Sequence, residues 1–212
     1  NADIGIAFDG DGDRVIMVDE DGTLVDGDQL LYLIMQFYIK EGYEFGGVVG
    51  THMTNLAFEE KCKMQSIPFA RANVGDRYVS EELDRRKWIL GGENSGHILV
   101  KNLHSTGDGI ISALQVLSYL VKNKKSLKSA LTEIQLYPQI LINIPTENKV
   151  NLKSKTVKNA IKESEVIMKG KGRILIRASG TQPLVRVMTE GPLRKDVLKA
   201  AKFLTEKIKE II

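Results

Sequence analysis

The sequence predicts an α/β fold in which a short strand-loop-strand segment leads into a complete α/β domain, followed by a smaller α+β C-terminal domain with an antiparallel sheet. Three observations predict it. Short β-branched runs alternate with apolar stripes at helical spacing through residues 27–136. Pro138 and Pro145 bracket one strand where that rhythm breaks. Beyond them a helix, two strands and a last helix follow, the layout of helices on one side of an antiparallel sheet.

Element by element, residues 4–8 and 15–18 read as short strands separated by Asp9-Gly-Asp-Gly-Asp-Arg14, and Glu20-Asp-Gly22 reads as a turn. A new unit begins near Gly27. From Asp28 the run Gln-Leu-Leu-Tyr-Leu-Ile-Met-Gln-Phe-Tyr-Ile-Lys reads as a buried helix closed by Gly42. Strand and helix then alternate: 47–50 strand, 55–64 helix, 67–72 strand, 76–87 helix, 88–90 strand and 98–100 strand. Residues 108–122 carry Ile110, Ile111, Leu114, Leu117, Leu120 and Val121 at helical spacing, a stripe expected to lie in the core. In the last part, 139–144, 173–177 and 184–190 read as strands, and 154–164 reads as a helix. A final helix starts at Leu193, with Val197, Ala200, Leu204, Ile208 and Ile211 on one face. The expected divisions are therefore 1–26, 27–136 and 137–212.

Bulk properties exclude several functions. Thirty basic and 27 acidic side chains give a net charge of +3, too small to indicate a nucleic-acid or membrane partner, so any anion site must be local. The single cysteine, Cys62, forms no internal disulfide and fits a reducing compartment. The most apolar run, 30–34, is too short to span a bilayer, and no signal peptide precedes it. A cytoplasmic location is expected. The chain opens without an initiator Met and enters a strand almost at once, as a cut through a larger protein would.

Three loops carry chemistry. Asp9, Asp11 and Asp13 alternate with glycines, a density of carboxylates that repels itself unless a cation neutralises it. All-oxygen ligation suits Mg²⁺, Ca²⁺ or Mn²⁺, while the plain alternative is a polar hairpin turn. Asp9, Asp11, Asp13 and Glu20 also have the spacing of positions 1, 3, 5 and 12 of an EF-hand loop. Arg14 at the glycine position and a strand at 15–18 in place of loop and helix oppose that reading. Arg14 either pairs with an aspartate or grips a phosphoryl group beside the metal, the arrangement of phosphoryl transfer.

The second loop, Gly91-Gly-Glu-Asn-Ser-Gly-His97, offers Glu93, Asn94, Ser95 and His97 as paired donors and acceptors able to read neighbouring sugar hydroxyls; a structural turn is the alternative. In the third, Arg177-Ala-Ser-Gly-Thr-Gln-Pro183, a fixed cation joins Ser179, Gly180 and Thr181, with Arg186 on the next strand. This looks like a phosphate nest, or else an ordinary polar hairpin loop. Neither a P-loop nor a Gly-x-Gly-x-x-Gly sequence is present, which disfavours nucleotides.

Taken in order, Asp-Gly-Asp-Gly-Asp-Arg, Gly-Glu-Asn-Ser-Gly-His and Arg-x-Ser-Gly-Thr resemble the α-D-phosphohexomutase family. Val74-Gly-Asp-Arg-Tyr78, Thr106-Gly-Asp-Gly109 and Tyr137-Pro-Gln-Ile140 extend the resemblance through nearly the whole chain. The resemblance implies Mg²⁺ on Asp9, Asp11 and Asp13, sugar on Glu93 and Ser95, and the non-transferring phosphate on Arg177, Ser179 and Thr181. It also implies that 1–26 end the second of four domains, that 27–136 form the third and that 137–212 form the fourth. Asn94 sides with the branch acting on glucosamine phosphates, which feeds cell-wall precursors, because the branch acting on mannose and glucose phosphates commonly has Met there. Ala178, Gln182 and Asn73 depart from the usual Lys or Pro, Glu and Lys.

The family's catalytic serine lies in an upstream Ala-Ser-His-Asn-like loop that does not occur here. The resemblance thus implies an isomerase working by phosphoserine-dependent transfer, inactive as this chain alone. The expected partners are a phosphosugar, the upstream domains of the same protein and, left open, a second copy in a homodimer.

Overall fold

The computed structural model describes residues 2–146, 151–179 and 182–211 of the chain, which divides into two compact units, Asn1–Leu136 and Tyr137–Ile212.

The first unit opens with a three-stranded antiparallel sheet of β1 (Gly5–Phe8), β2 (Val15–Val18) and β3 (Leu24–Val25), in the order β1-β2-β3. Alternation along β2 turns Val15 and Met17 inward, where they join one hydrophobic core with Val25, Leu30, Leu31 and Ile34. Residues 1–26, expected to end a preceding domain, therefore share a core with the residues beyond Gly27.

Helix α1 (Gly27–Glu41) starts at a reciprocal capping box between Asp26 and Gln29 and stops at Gly42, whose φ of 71° a side chain rarely adopts. Its apolar residues run all round the helix, so it can only be buried, and Leu30, Leu31, Leu33, Ile34 and Met35 have no exposed surface. Beside it runs a four-stranded sheet in the order β5-β4-β6-β7. In it β4 (Val48–Thr51) pairs in parallel with β5 (Phe69–Ala72) and β6 (Leu90–Gly92), while β7 (Ile98–Val100) is antiparallel to β6. Helices α2 (Leu56–Met64) and α3 (Asp76–Arg86) make the crossovers. Cys62 of α2 is buried, and burial pushes its thiol up to about 12. No helix among the described residues is long and apolar enough to cross a membrane.

The structure corrects two expectations. β6 begins at Leu90, not Trp88, because the Trp88 N–H closes α3 by donating to Leu83 O at 3.0 Å and pairing with β4 starts only at Leu90. Helix α4 (Gly109–Asn123) buries Ser112, Ala113, Val116, Tyr119 and Leu120, and leaves Ile110, Leu114 and Val121 at least half exposed. The face that meets α1 is thus rotated from the expected stripe, toward the small residues that admit close helix packing. Strand β3 and the short helices α5 (Leu127–Ala130) and Leu131–Glu133 (3-10) lacked a periodic signal.

The second unit is a three-stranded antiparallel sheet of β8 (Gln139–Pro145), β9 (Arg173–Ala178) and β10 (Leu184–Glu190), with β10 central. Helices α6 (Lys155–Ile167) and α7 (Arg194–Lys209) pack against each other and against this sheet. Val157, Ala160, Val185, Val187, Leu204 and Ile208 make the core.

Candidate functional site

The aspartate loop, the candidate metal site, is the β1–β2 connection. Gly12, at φ 74°, turns the chain, and ligand atoms of Asp9, Asp11 and Asp13 lie within 4.8 Å of one another, the one group of its kind among the described residues. The Arg14 amide donates to Asp9 Oδ1 at 3.2 Å, and Arg14 Nε stands 3.5 Å from Asp9 Oδ2 and 3.7 Å from Asp13 Oδ1. Arg14 therefore pairs with the loop's own carboxylates while its half-exposed guanidinium still faces solvent.

Desolvation, then a hydrogen bond shared with Asp9, pushes the Asp13 carboxyl above the usual range. Desolvation acts on Asp9 in the same sense, but the Arg14 amide, the bond from Asp13 and the Arg14 charge outweigh it and hold Asp9 low. Opposed shifts on two neighbouring carboxyls are the mark of crowded like charges. Asp13 Oδ1 is buried and accepts no hydrogen bond. Hard oxygen donors, one of them unsatisfied, fit a divalent cation of the Mg²⁺ class. The strand β2 directly after the loop rules out an EF-hand, which needs a helix there.

The sugar-binding candidates occupy the β6–β7 hairpin. Glu93 and Asn94 are half-buried, and Ser95 is exposed. Glu93 Oε1 accepts from the Gly75 amide at 2.8 Å, which ties it to the start of α3. Gly75 has φ 129°, a conformation that needs glycine. His97 is placed differently from expectation. Its side chain is 3% exposed, and Nε2 faces Asp13 Oδ2 at 3.4 Å, so it looks into the aspartate loop. Backbone bonds join the two loops: Arg14 bridges to His97, the Val15 N–H donates to Gly96 O at 3.1 Å and the Gly27 N–H to Asn94 O at 3.0 Å.

His52, Asn73 and Glu93 each immediately follow the carboxyl end of one of the parallel strands β4, β5 and β6, the edge where open α/β sheets bind ligands. His52, Arg71, Asn73 and Tyr78 line a polar cavity of about 300 Å³ there. His52 and Arg71 escaped the sequence reading; position just at or after a predicted parallel strand was the available signal.

In the second unit, Arg177 and Arg186 sit directly opposite each other on β9 and β10. Burial, then the Arg186 charge, lowers the Arg177 pKa, and Arg186 Nε is buried without a hydrogen-bond partner. Like charges paired across strands disfavour each other unless an anion lies between them. Ser179 Oγ accepts from the Gln182 amide at 3.3 Å. Gly180 and Thr181 lie outside the described residues.

The family described as phosphoglucomutase/phosphomannomutase, alpha/beta/alpha domain III, matches residues 26–137, and its C-terminal domain matches residues 141–207. The chain is 51% identical over 210 residues to a phosphoglucosamine mutase of Methylobacillus flagellatus, covering 99% of this chain and 46% of that protein. It is 49% identical over 211 residues to that of Proteus mirabilis, covering 99% and 47%. The chain thus spans about half the length of these relatives. Among solved structures, N-acetylphosphoglucosamine mutase of Aspergillus fumigatus in complex with GlcNAc-6P and magnesium superposes with a TM-score of 0.78 at 20% identity, over 97% of this chain and 48% of that one. A phosphoglucomutase/phosphomannomutase family protein of Burkholderia thailandensis gives 0.77 at 18% identity, over 99% and 47%. At these identities the structures bear on the fold alone. The family matches, each on its own compact unit, settle the wider question: this chain belongs to the phosphoglucomutase/phosphomannomutase family.

Proposed function

We propose that the chain is the C-terminal part of a phosphoglucosamine mutase, which interconverts glucosamine 6-phosphate and glucosamine 1-phosphate when joined to an upstream portion bearing a phosphoserine. The observation that carries this reading is identity of about 50% to phosphoglucosamine mutases along essentially the whole chain. In this assignment 1–26 end the second domain, 27–136 are the third and 137–212 the fourth, and the protein works in the cytoplasm.

Asp9, Asp11 and Asp13 hold Mg²⁺, which supplies neutralisation of charge on the transferring phosphoryl group. Arg14 lies beside those carboxylates with its guanidinium half exposed, where it would bind an oxygen of the transferring phosphoryl group. Glu93, fixed through Oε1 by Gly75, offers its other oxygen to the sugar, with Asn94 and Ser95 beside it. A carboxylate there favours the ammonium of glucosamine over a neutral hydroxyl. Arg177 and Arg186, with Ser179, Gly180 and Thr181, grip the phosphate that stays attached, whose charge relieves their mutual repulsion.

The full-length protein is expected to turn over glucosamine 6-phosphate with Mg²⁺, and the 212-residue chain alone is not. In the full-length protein, Arg177→Ala should weaken phosphosugar binding by about 1.5–3 kcal/mol, the usual size of a hydrogen bond to a charged group, and leave binding of unphosphorylated glucosamine unchanged. Turnover by the chain alone, or equal loss for both sugars, would overturn the reading.

A further inference from the structure

His97 belongs by sequence to the sugar loop and by position to the metal loop. Its Nε2 stands 3.4 Å from Asp13 Oδ2, and Arg14 Nε stands 3.7 Å from the other oxygen, Oδ1, so the carboxylate is held between two cationic or donating groups. Three chain segments fix the imidazole in that place. Its backbone bridges to Arg14, and its carbonyl accepts from the Glu93 N–H at 2.9 Å. Gly107 lies flat against the ring: a Cβ there would stand 2.2 Å from Nε2, so the glycine admits the ring and closes off its retreat. The Gly109 N–H then donates to Gly12 O at 2.9 Å, fastening the start of α4 to the metal loop as well. The ring is buried, and Nδ1 has no hydrogen-bond partner, so the contact with Asp13 is the polar interaction this imidazole is placed to make.

We infer that His97 is a positioning residue for the metal loop: by holding Asp13 Oδ2 it sets the carboxylate for the cation and mechanically links occupation of the metal loop to the hairpin carrying Glu93, Asn94 and Ser95. This rests on the reading of Asp9, Asp11 and Asp13 as metal ligands. A partner that orients a ligating group typically changes metal affinity by tenfold or more when removed. Linkage is reciprocal, so a sugar loop fixed by its ligand should also favour the metal.

The test is calorimetric titration of the 212-residue chain with Mg²⁺, comparing wild type, His97→Ala and His97→Gln, with near-ultraviolet circular dichroism to establish that each is folded. Gln keeps an N–H close to the place of Nε2. His97→Ala is expected to weaken Mg²⁺ binding at least about tenfold, and His97→Gln to recover to within about threefold of wild type. A fold defect alone would not be repaired by a side chain chosen for its donor. Wild-type affinity in folded His97→Ala, or a folded His97→Gln as weak as His97→Ala, overturns the inference. As a measurement independent of the variants, the ¹⁵N resonances of the His97 ring in wild type should move on adding Mg²⁺, and no movement during saturable binding also overturns it. Absence of Mg²⁺ binding by wild type would instead overturn the metal reading itself, and this inference with it.

Discussion

Gly27 is the most sharply constrained position linking the fold to the site. A Cβ built on it would lie 2.1 Å from Glu93 O, 2.6 Å from Gly96 N and 2.8 Å from Gly96 Cα, all backbone atoms that cannot swing aside. Reaching ordinary contact means moving the β6–β7 hairpin by about 1 Å, and small-to-large changes in packed sites cost about 1–3 kcal/mol. The shift also strains the 3.0 Å bond from the Gly27 amide to Asn94 O, whose net contribution is about 0.5–1.5 kcal/mol. Ala is the better helix residue by up to about 1 kcal/mol, less at the first turn. Gly27→Ala should therefore destabilise the first unit by about 2–3 kcal/mol.

The single tryptophan, Trp88, lies in that unit, so its fluorescence during urea unfolding reports the unit specifically. Gly10→Ala is the control, because nothing lies within 4 Å of a Cβ at Gly10. It should stay within about 0.5 kcal/mol of wild type. A Gly27→Ala chain as stable as Gly10→Ala would refute the reasoning that the two loops and α1 are locked backbone to backbone.

Two further outcomes test the energetics. Arg173 and Glu190 pair across β9 and β10 at 2.7 Å, with Glu190 fully buried, so Arg173→Met should cost about 3–5 kcal/mol by urea unfolding, whereas Arg173→Met with Glu190→Met should recover much of it; a loss below about 1 kcal/mol for the single change would show that other partners hold the carboxylate. Hydrogen bonds from Arg85, then Arg86, lower the Glu82 pKa from 4.5 to about 2. A depressed carboxylate stabilises above its unfolded pKa and loses that contribution as pH falls through the folded one. Glu82→Gln should therefore flatten the loss of stability between about pH 4.5 and 2, as acid unfolding curves would read.

Local signals made most elements legible. Asp26, Gln29 and Gly42 mark the ends of α1, and the apolar residues all round it mean burial without reference to any partner. The exposed residues of α4 were not legible in the same way. Periodicity gives two neighbouring apolar stripes there, and only the presence of α1 selects the one built on Ala113 and Val116. The aspartate loop could be read because its carboxylates are adjacent in sequence and mutual repulsion is a local property. The role of His97 could not, since 84 residues separate it from Asp13 and the bridge between Arg14 and His97 that aligns them is made by chain pairing alone. His52 and Arg71 stayed hidden for a related reason: a strand's carboxyl end becomes a binding edge only once its parallel neighbours are known.

The ladder between β9 and β10 is electrically uneven. At one end Arg173 and Glu190 attract, and four residues further along β9 Arg177 and Arg186 repel. Dissolved salt acts unequally on the two ends: it screens the repulsion of the partly exposed Arg177 and Arg186 and hardly touches the attraction to the fully buried Glu190. The ladder nevertheless runs past the two arginines to Val185 and Ala178, so the strands bear that repulsion while paired, and a doubly negative group between the guanidinium groups would relieve it without moving the backbone.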